Sequence, residues 1–179
     1  RVMQRVIITD AAGGGMTEMR VVEALEPEVV QDYPRPPALE RMALRLRVVL
    51  GGETVADSVR GFRVCETHHA PTYYIPPEDI APGALRQAGG GTFCEWKGRA
   101  AYWDVVAGGE TRPRAAWSYP TPSAGYAPIA GFVAFYPGAM DACFVGDVQV
   151  TPQPGDFYGG WVTPNLDGTV KGGPGTRGW

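Results

Sequence analysis

No stretch of this sequence approaches the roughly 18 consecutive apolar residues that a bilayer-spanning helix requires. The N-terminal RVMQRVIITD holds too short an apolar run for a secretion signal. Like charges never gather into a block, and 16 basic against 19 acidic residues leave a net charge of −3. Such a balance offers nucleic acid no electrostatic footprint. Cysteine is scarce: Cys65, Cys94 and Cys143 are odd in number and far apart. A disulfide framework is therefore not expected, and a reducing compartment is. These absences together read as a cytoplasmic protein with neither nucleic acid nor membrane as a partner.

Helix-favouring composition is also missing. The chain carries 25 glycines and 17 prolines, roughly twice their ordinary combined usage of about 12%. That favours short strands and many turns over a helical bundle. What is present in good supply is apolar content, at 44%, with 20% charged residues. In 179 residues this suits one well-buried domain with extensions rather than two domains.

Residues 1–40 read as an arm that begins without Met, so its first residues are expected to be vector-derived or upstream of the native start. Ala11 to Gly15 is linker-like, residues 19–30 read as a short strand or helical turn, and a Pro-rich run closes the arm at Tyr33 to Pro37. The domain proper is expected over 41–140. Leu44, Leu46, Val48 and Leu50 alternate with Arg45 and Arg47, the pattern of a half-buried strand. Gly51-Gly52 predicts a tight hairpin with Thr54 to Ala56 returning. In Phe62 to Glu66, alternation turns Phe62, Val64 and Glu66 inward and Arg63 outward. Thr72 to Ile75 reads as a short strand, and Pro76 to Ile80 as a short helical turn. Ala88 to Gly91 reads as a loop before two strands, 92–96 and 100–106, bent at Lys97-Gly98. Trp117 to Pro122 looks irregular, and Ile129 to Tyr136 is the last strong strand. Residues 141–179 form a Gly/Pro extension carrying Phe157, Tyr158, Trp161 and Trp179. So many rings imply that it lies against a surface, its own or a partner's. No internal repeat is present.

Several chemistries can be weighed from these residues. His68 and His69 are adjacent and point apart on an extended segment, and no C-x-x-C knuckle exists, so no metal site is expected. Cys94 and Lys97 are three apart, hence on opposite faces of a strand unless a turn at Gly98 brings them together. If it does, Cys94 is a reactive thiol beside a cation; if not, it is a small buried hydrophobe beside Trp96. Glu66 reads as an inward carboxylate suited to general acid or base work, or else as an ion-pair partner of Arg99 or Lys97 or a solvent-facing strand end. Gly173 to Gly178 spells G-x-G-x-x-G but has no following helix, so it is not a nucleotide fingerprint. Aromatic rings are abundant between Tyr73 and Tyr136. Tyr102 and Trp103 cannot both face inward, nor can Phe135 and Tyr136. Either the rings fill a core or the surplus lines a groove for a planar ligand.

The segments ETHHAPTYYIPPED (66–79), CEWKGRAAYW (94–103), WSYP (117–120) and FVAFY (132–136) occur in order. They resemble the motifs of a bacterial family of domains of unknown function, number 427. The likeness spans about residues 44–137, with one departure: the second proline of the third motif falls at Pro122. The GGW tail is similar to C-terminal extensions of some members. The resemblance implies a mainly β, single compact antiparallel domain of β-tent (Mss4-like) type, with short helical turns and extended Gly/Pro-rich termini. Zinc-bearing folding modules, a methionine sulfoxide reductase and aromatic-caged ligand binders share that fold, but the paired C-x-x-C of the zinc-bearing members is absent. The label nucleotidyltransferase is sometimes attached to the family. The Gly-Ser loop and paired carboxylates of metal-bound phosphoryl transfer are not found in this sequence.

The expectation is therefore a small-molecule binding domain with an aromatic groove lined by Tyr74, Trp96, Tyr102, Trp117 and Tyr119. Glu66, Cys94 and Lys97 are its candidate catalytic residues, with no metal or other cofactor. The alternatives are a thiol-dependent or nucleotidyl-transfer enzyme, and a scaffold that self-associates through its C-terminal extension. Convergence of Glu66, Cys94 and Lys97 in one concavity is the observation that separates a site from a core.

Overall fold

Leu46, Val48 and Leu50 are each fully buried while Arg47 and Val49 between them are not, as the alternation requires. Around this strand the described residues fold mainly as β structure. The computed structural model describes residues 5–9, 16–155, 157–176 and 179. The linker-like run 11–15 and residues 177 and 178 of the terminal Gly-rich motif lie outside them.

In chain order the strands are β1 (Arg5–Thr9), β2 (Met16–Val22), β3 (Glu28–Val29), β4 (Ala38–Met42), β5 (Leu46–Leu50) and β6 (Glu53–Ser58). Then come β7 (Phe62–Cys65), β8 (Thr72–Tyr74), β9 (Leu85–Cys94), β10 (Gly98–Ala107), β11 (Glu110–Ser118) and β12 (Val133–Phe135). The extension adds β13 (Ala142–Val145), β14 (Val148–Gln149), β15 (Thr151–Pro152), β16 (Trp161–Val162) and β17 (Leu166–Asp167). Among the described residues helical structure is confined to short 3-10 turns, such as Pro77–Asp79 and Ala124–Ile129.

Three sheets carry the fold, ordered β1-β2-β4-β7-β8, β12-β11-β10-β9 and β14-β13-β5-β6. Among the described residues pairing is antiparallel except at β2–β4 and β3–β17. Ile75, just past β8, exchanges two backbone hydrogen bonds of 2.8 Å with Val133, so the first sheet runs on into the second. β8 and β12 consequently separate two cores. Tyr73, Ile75, Val133 and Phe135 enter one, with Leu46, Leu50 and Trp161. Tyr74 and Ala134 enter the other, with Trp117, Tyr119 and Ile129.

Four sequence expectations need correction. Arg63 does not face solvent: it is 1% exposed, because the N-terminal segment covers that face of β7. Its Nε donates to Glu40 at 2.9 Å, and its two Nη groups donate to Glu28 at 2.9 and 2.5 Å. Arg20 and Tyr33 add further bonds to Glu28, so the arm is pinned by a buried ion cluster that alternation alone does not reveal. Ala88 to Gly91 is not a loop but part of β9, bulged where its register with β10 shifts. Trp117 and Ser118 end the regular strand β11. The run Ile129 to Tyr136 yields only the three-residue β12, since Ala124–Ile129 turns as a 3-10 segment.

Removing one member of a buried, hydrogen-bonded ion cluster strands the others without compensation. Arg63→Ala is therefore expected to cost about 3–5 kcal/mol, read as a lower urea midpoint with unchanged m-value. The pH dependence has a definite sign. Burial raises the Glu28 carboxyl, but Arg63, the Tyr33 hydroxyl and Arg20 outweigh it and hold it below the usual carboxylate range. Its stabilisation is then complete above the unfolded value and lost as pH falls through the folded one. Glu28→Gln should flatten the acid limb of stability against pH; an acid limb as steep as that of the parent protein would refute the assignment.

Candidate functional site

Cys94 closes β9 and Gly98 opens β10, and the two are directly paired across a three-residue turn. Gly98 has φ +100°, a conformation costly for any residue with a Cβ. The turn reverses the chain and brings Lys97 to the same hollow as Cys94. Both residues line one cavity of about 350 Å³, and Glu66, beyond the end of β7, lines it as well. The three candidate residues thus share one concave space.

Its walls are aromatic. Trp117 and Tyr119 are both mostly buried, and the ring of Trp117 lies 4.6 Å from that of Tyr136. The alternation along β10 and β12 divides the rings between core and cavity. Phe135 and Trp103 pack with the first core, while Tyr136 and Tyr102 line the cavity. Tyr102 also shares a 2.9 Å hydrogen bond with Thr92. Two residues expected in the groove do not line it. Tyr74 is 1% exposed and lies behind Tyr119, with ring centroids 6.3 Å apart. Trp96, in the hairpin turn, packs against the second core instead.

The opposite wall comes from the C-terminal extension. Trp161 is fully buried; its indole N–H donates to Phe135 O at 3.0 Å and its backbone N–H to Pro71 O at 2.9 Å. The preceding glycines let the backbone lie flat against the core. A Cβ on Gly159 would fall 2.1 Å from the Trp117 ring, and one on Gly160 2.8 Å from Ala70 O. With Trp161 seated, the extension presents Gln153, Phe157, Tyr158 and Lys171 to the cavity. Sequence reasoning expected the extension to pack but did not connect it to the groove; the GGW step was the available signal.

The polar groups form an ordered set. Gln153 is 2% exposed. Its Oε1 accepts from the Ala70 N–H at 3.0 Å, so its amide N–H groups face Lys171 O at 2.9 Å and His69 Nδ1 at 3.2 Å. A carbonyl only accepts, and the network therefore assigns His69 Nδ1 as an acceptor with its proton on Nε2. Burial lowers the affinity of His69 for a second proton, and Lys171 and Lys97 add to this against Glu66. The imidazole is accordingly neutral near pH 7. Lys97 is 8% exposed. Among the described residues it has neither an ion-pair nor a hydrogen-bonding side-chain partner; its ammonium lies 5.7 Å from the Tyr119 ring centroid. Among the described lining residues Glu66 is the one carboxylate. No group of three or more His, Cys, Asp or Glu placed to hold a metal ion occurs among the described residues, nor is any helix there long and apolar enough to cross a membrane.

Compared with known protein families, residues 38–146 match a model described as NTP_transf_9, a domain of unknown function (DUF427). The chain belongs to this DUF427 family. No curated protein matches it. The DUF427 match spans β4 to β13 and so includes Glu66, Cys94, Lys97, Tyr102, Trp117 and Tyr119, whereas Gln153, Phe157, Tyr158 and Lys171 lie beyond it.

The three thiols should differ sharply. Cys65 and Cys143 are buried and Cys94 is half-buried at the cavity; burial pushes Cys143 up to about 12 and Cys65 higher still. A chromogenic disulfide reagent should therefore titrate one thiol quickly in the native protein and none in Cys94→Ala. Rapid reaction of a second thiol would contradict this arrangement.

Proposed function

We propose that this DUF427 chain binds a small planar organic anion in the cleft between the domain and its C-terminal extension. The observation that carries the reading is Lys97. A charge withdrawn from water without a partner costs several kcal/mol. The face of Tyr119 offsets only part of this, about 0.5–2 kcal/mol for a cation over an aromatic ring. A carboxylate or other oxyanion on a ligand supplies the missing counter-charge, and the flat walls of Trp117, Tyr102 and Tyr119 suit a planar body. A cavity of about 350 Å³ falls in the size range of small-molecule sites, about 300–1,000 Å³.

The same groups support a reaction on such a ligand. With Lys97 on a carbonyl or carboxylate oxygen, negative charge developing there is stabilised by a fixed ammonium. Glu66 is the base in this reading, and neutral His69 offers an Nε2–H donor. Among the described lining residues Glu66 is a lone carboxylate, whereas nucleotidyl transfer holds its metal ions between paired acidic side chains.

A panel of aromatic carboxylates, titrated by calorimetry and by tryptophan fluorescence, tests the reading. Saturable binding is expected for at least one carboxylate, with its neutral alcohol analogue binding far more weakly. Lys97→Met should reduce affinity by roughly tenfold or more, the scale of about 1.4 kcal/mol or above. Equal binding of the neutral analogue, no effect of Lys97→Met, or no binding across the panel would each overturn it.

A further inference from the structure

A second cleft of about 550 Å³ adjoins the first, and the two share Thr92, Tyr102, Tyr136, Gln153, Phe157 and Tyr158. Phe157 stands at the junction. Its ring meets Tyr158 edge-on at 5.3 Å and is 74% exposed, while its carbonyl accepts from the Tyr136 hydroxyl at 3.5 Å. An aromatic ring left so exposed between two hollows has apolar surface to offer a ligand that runs past it.

Among the described residues lining the second cleft Arg114 is the one basic side chain, and its backbone is unusual. The pairing of β10 with β11 slips between Trp103 and Val105, and opposite the slip Arg114 adopts φ +48°. A left-handed conformation costs a residue with a Cβ about 1–2 kcal/mol. It is held by the Asp104 carboxylate, which accepts the Arg114 backbone N–H at 2.8 Å. A bulge of this kind re-aims a side chain. Here it lays the guanidinium 4.3 Å from the centroid of the Tyr102 ring, and Nη1 donates to Gly89 O. Among the described residues Arg114 makes no ion pair, and most of its five N–H donors remain available. Tyr102 thus faces the Lys97 cavity and stacks under a second cation at the neighbouring one.

We propose that the second cleft is a subsite of the same groove, and that Arg114 receives a second oxyanion there. The ligand class is an elongated dianion with a flat middle, one end on Lys97, the other on Arg114, its body along Tyr102 and Phe157. This rests on the reading of Lys97 as an anion anchor. A planar guanidinium takes a carboxylate or phosphate through two parallel hydrogen bonds, so either oxyanion satisfies the chemistry.

The test uses the full chain and rigid aromatic acids of increasing length: terephthalate, naphthalene-2,6-dicarboxylate and biphenyl-4,4′-dicarboxylate. Each is titrated against its monocarboxylate, and the biphenyl also with one end as phosphonate. At least one dianion is expected to bind about tenfold more tightly than its monoanion; a larger gain with the phosphonate would identify a phosphate-type group at Arg114, a smaller one a carboxylate. Arg114→Gln should abolish the dianion advantage and leave monocarboxylate binding unchanged. Arg114→Asn, whose side chain tolerates a positive φ, gives the same result without depending on the strained backbone. If no dianion is preferred, or the preference survives both variants, the subsite is refuted while monoanion binding through Lys97 stands. If Lys97→Met leaves monoanion binding intact, the anchor reading itself falls.

Discussion

The burial of Trp161 is the interaction on which the cleft depends. Its ring fills a place in the first core against Tyr73, with centroids 5.0 Å apart, and its N–H finds the Phe135 carbonyl inside that core. A buried tryptophan contributes through area and through its satisfied donor, together about 3–5 kcal/mol by the usual cost of truncation. That is enough to hold an irregular Gly/Pro segment in one place. Without it the extension has few short strands to anchor it, and one wall of the cavity is gone. The same extension reaches the N-terminal arm, where β17 pairs with β3, so both ends of the chain close on the DUF427 domain between them.

The position of the cleft follows from strands with two buried faces. β12 contributes Phe135 to one core and Ala134 to the other, and the next residue, Tyr136, emerges into the cavity. β10 does the same with Trp103 and Tyr102. Period-two geometry therefore assigns one ring of each adjacent pair to stability and its neighbour to the groove. The charged clusters are divided as well. Arg63 and Arg20 neutralise Glu28 and Glu40 under the arm, while Lys97 is left facing the cavity. The first arrangement is structural because every charge has a partner; in the second, among the described residues, the Lys97 ammonium has only the face of Tyr119 beside it.

Much of this was legible in the sequence. The strand at Leu46 to Leu50, the hairpin at Gly51-Gly52, the mainly β class and the family motifs all rest on local patterns of period two and on turn residues. Glu66 next to Val64 followed from the same alternation. Tyr74 and Trp96 show the limit: each carries a ring in the right motif, yet whether a ring faces a core or a cavity depends on what packs above it. Arg63 shows it more sharply, since alternation places it away from Val64 without revealing that Glu28 and Glu40 cover that face.

What the sequence determined by itself is therefore what neighbours along the chain decide: strands, turns, and which side chains share a face. The sharing of one cavity by Cys94 and Lys97 was written there only as a condition, a bend at Gly98. Tertiary structure decided the rest. It brought Gln153 84 positions along the chain to the imidazole of His69, and it laid Gly159 against Trp117 and turned Arg114 onto Tyr102. These contacts are set by long-range packing of Trp161 and by a slip in strand register, neither of which leaves a periodic trace in the chain.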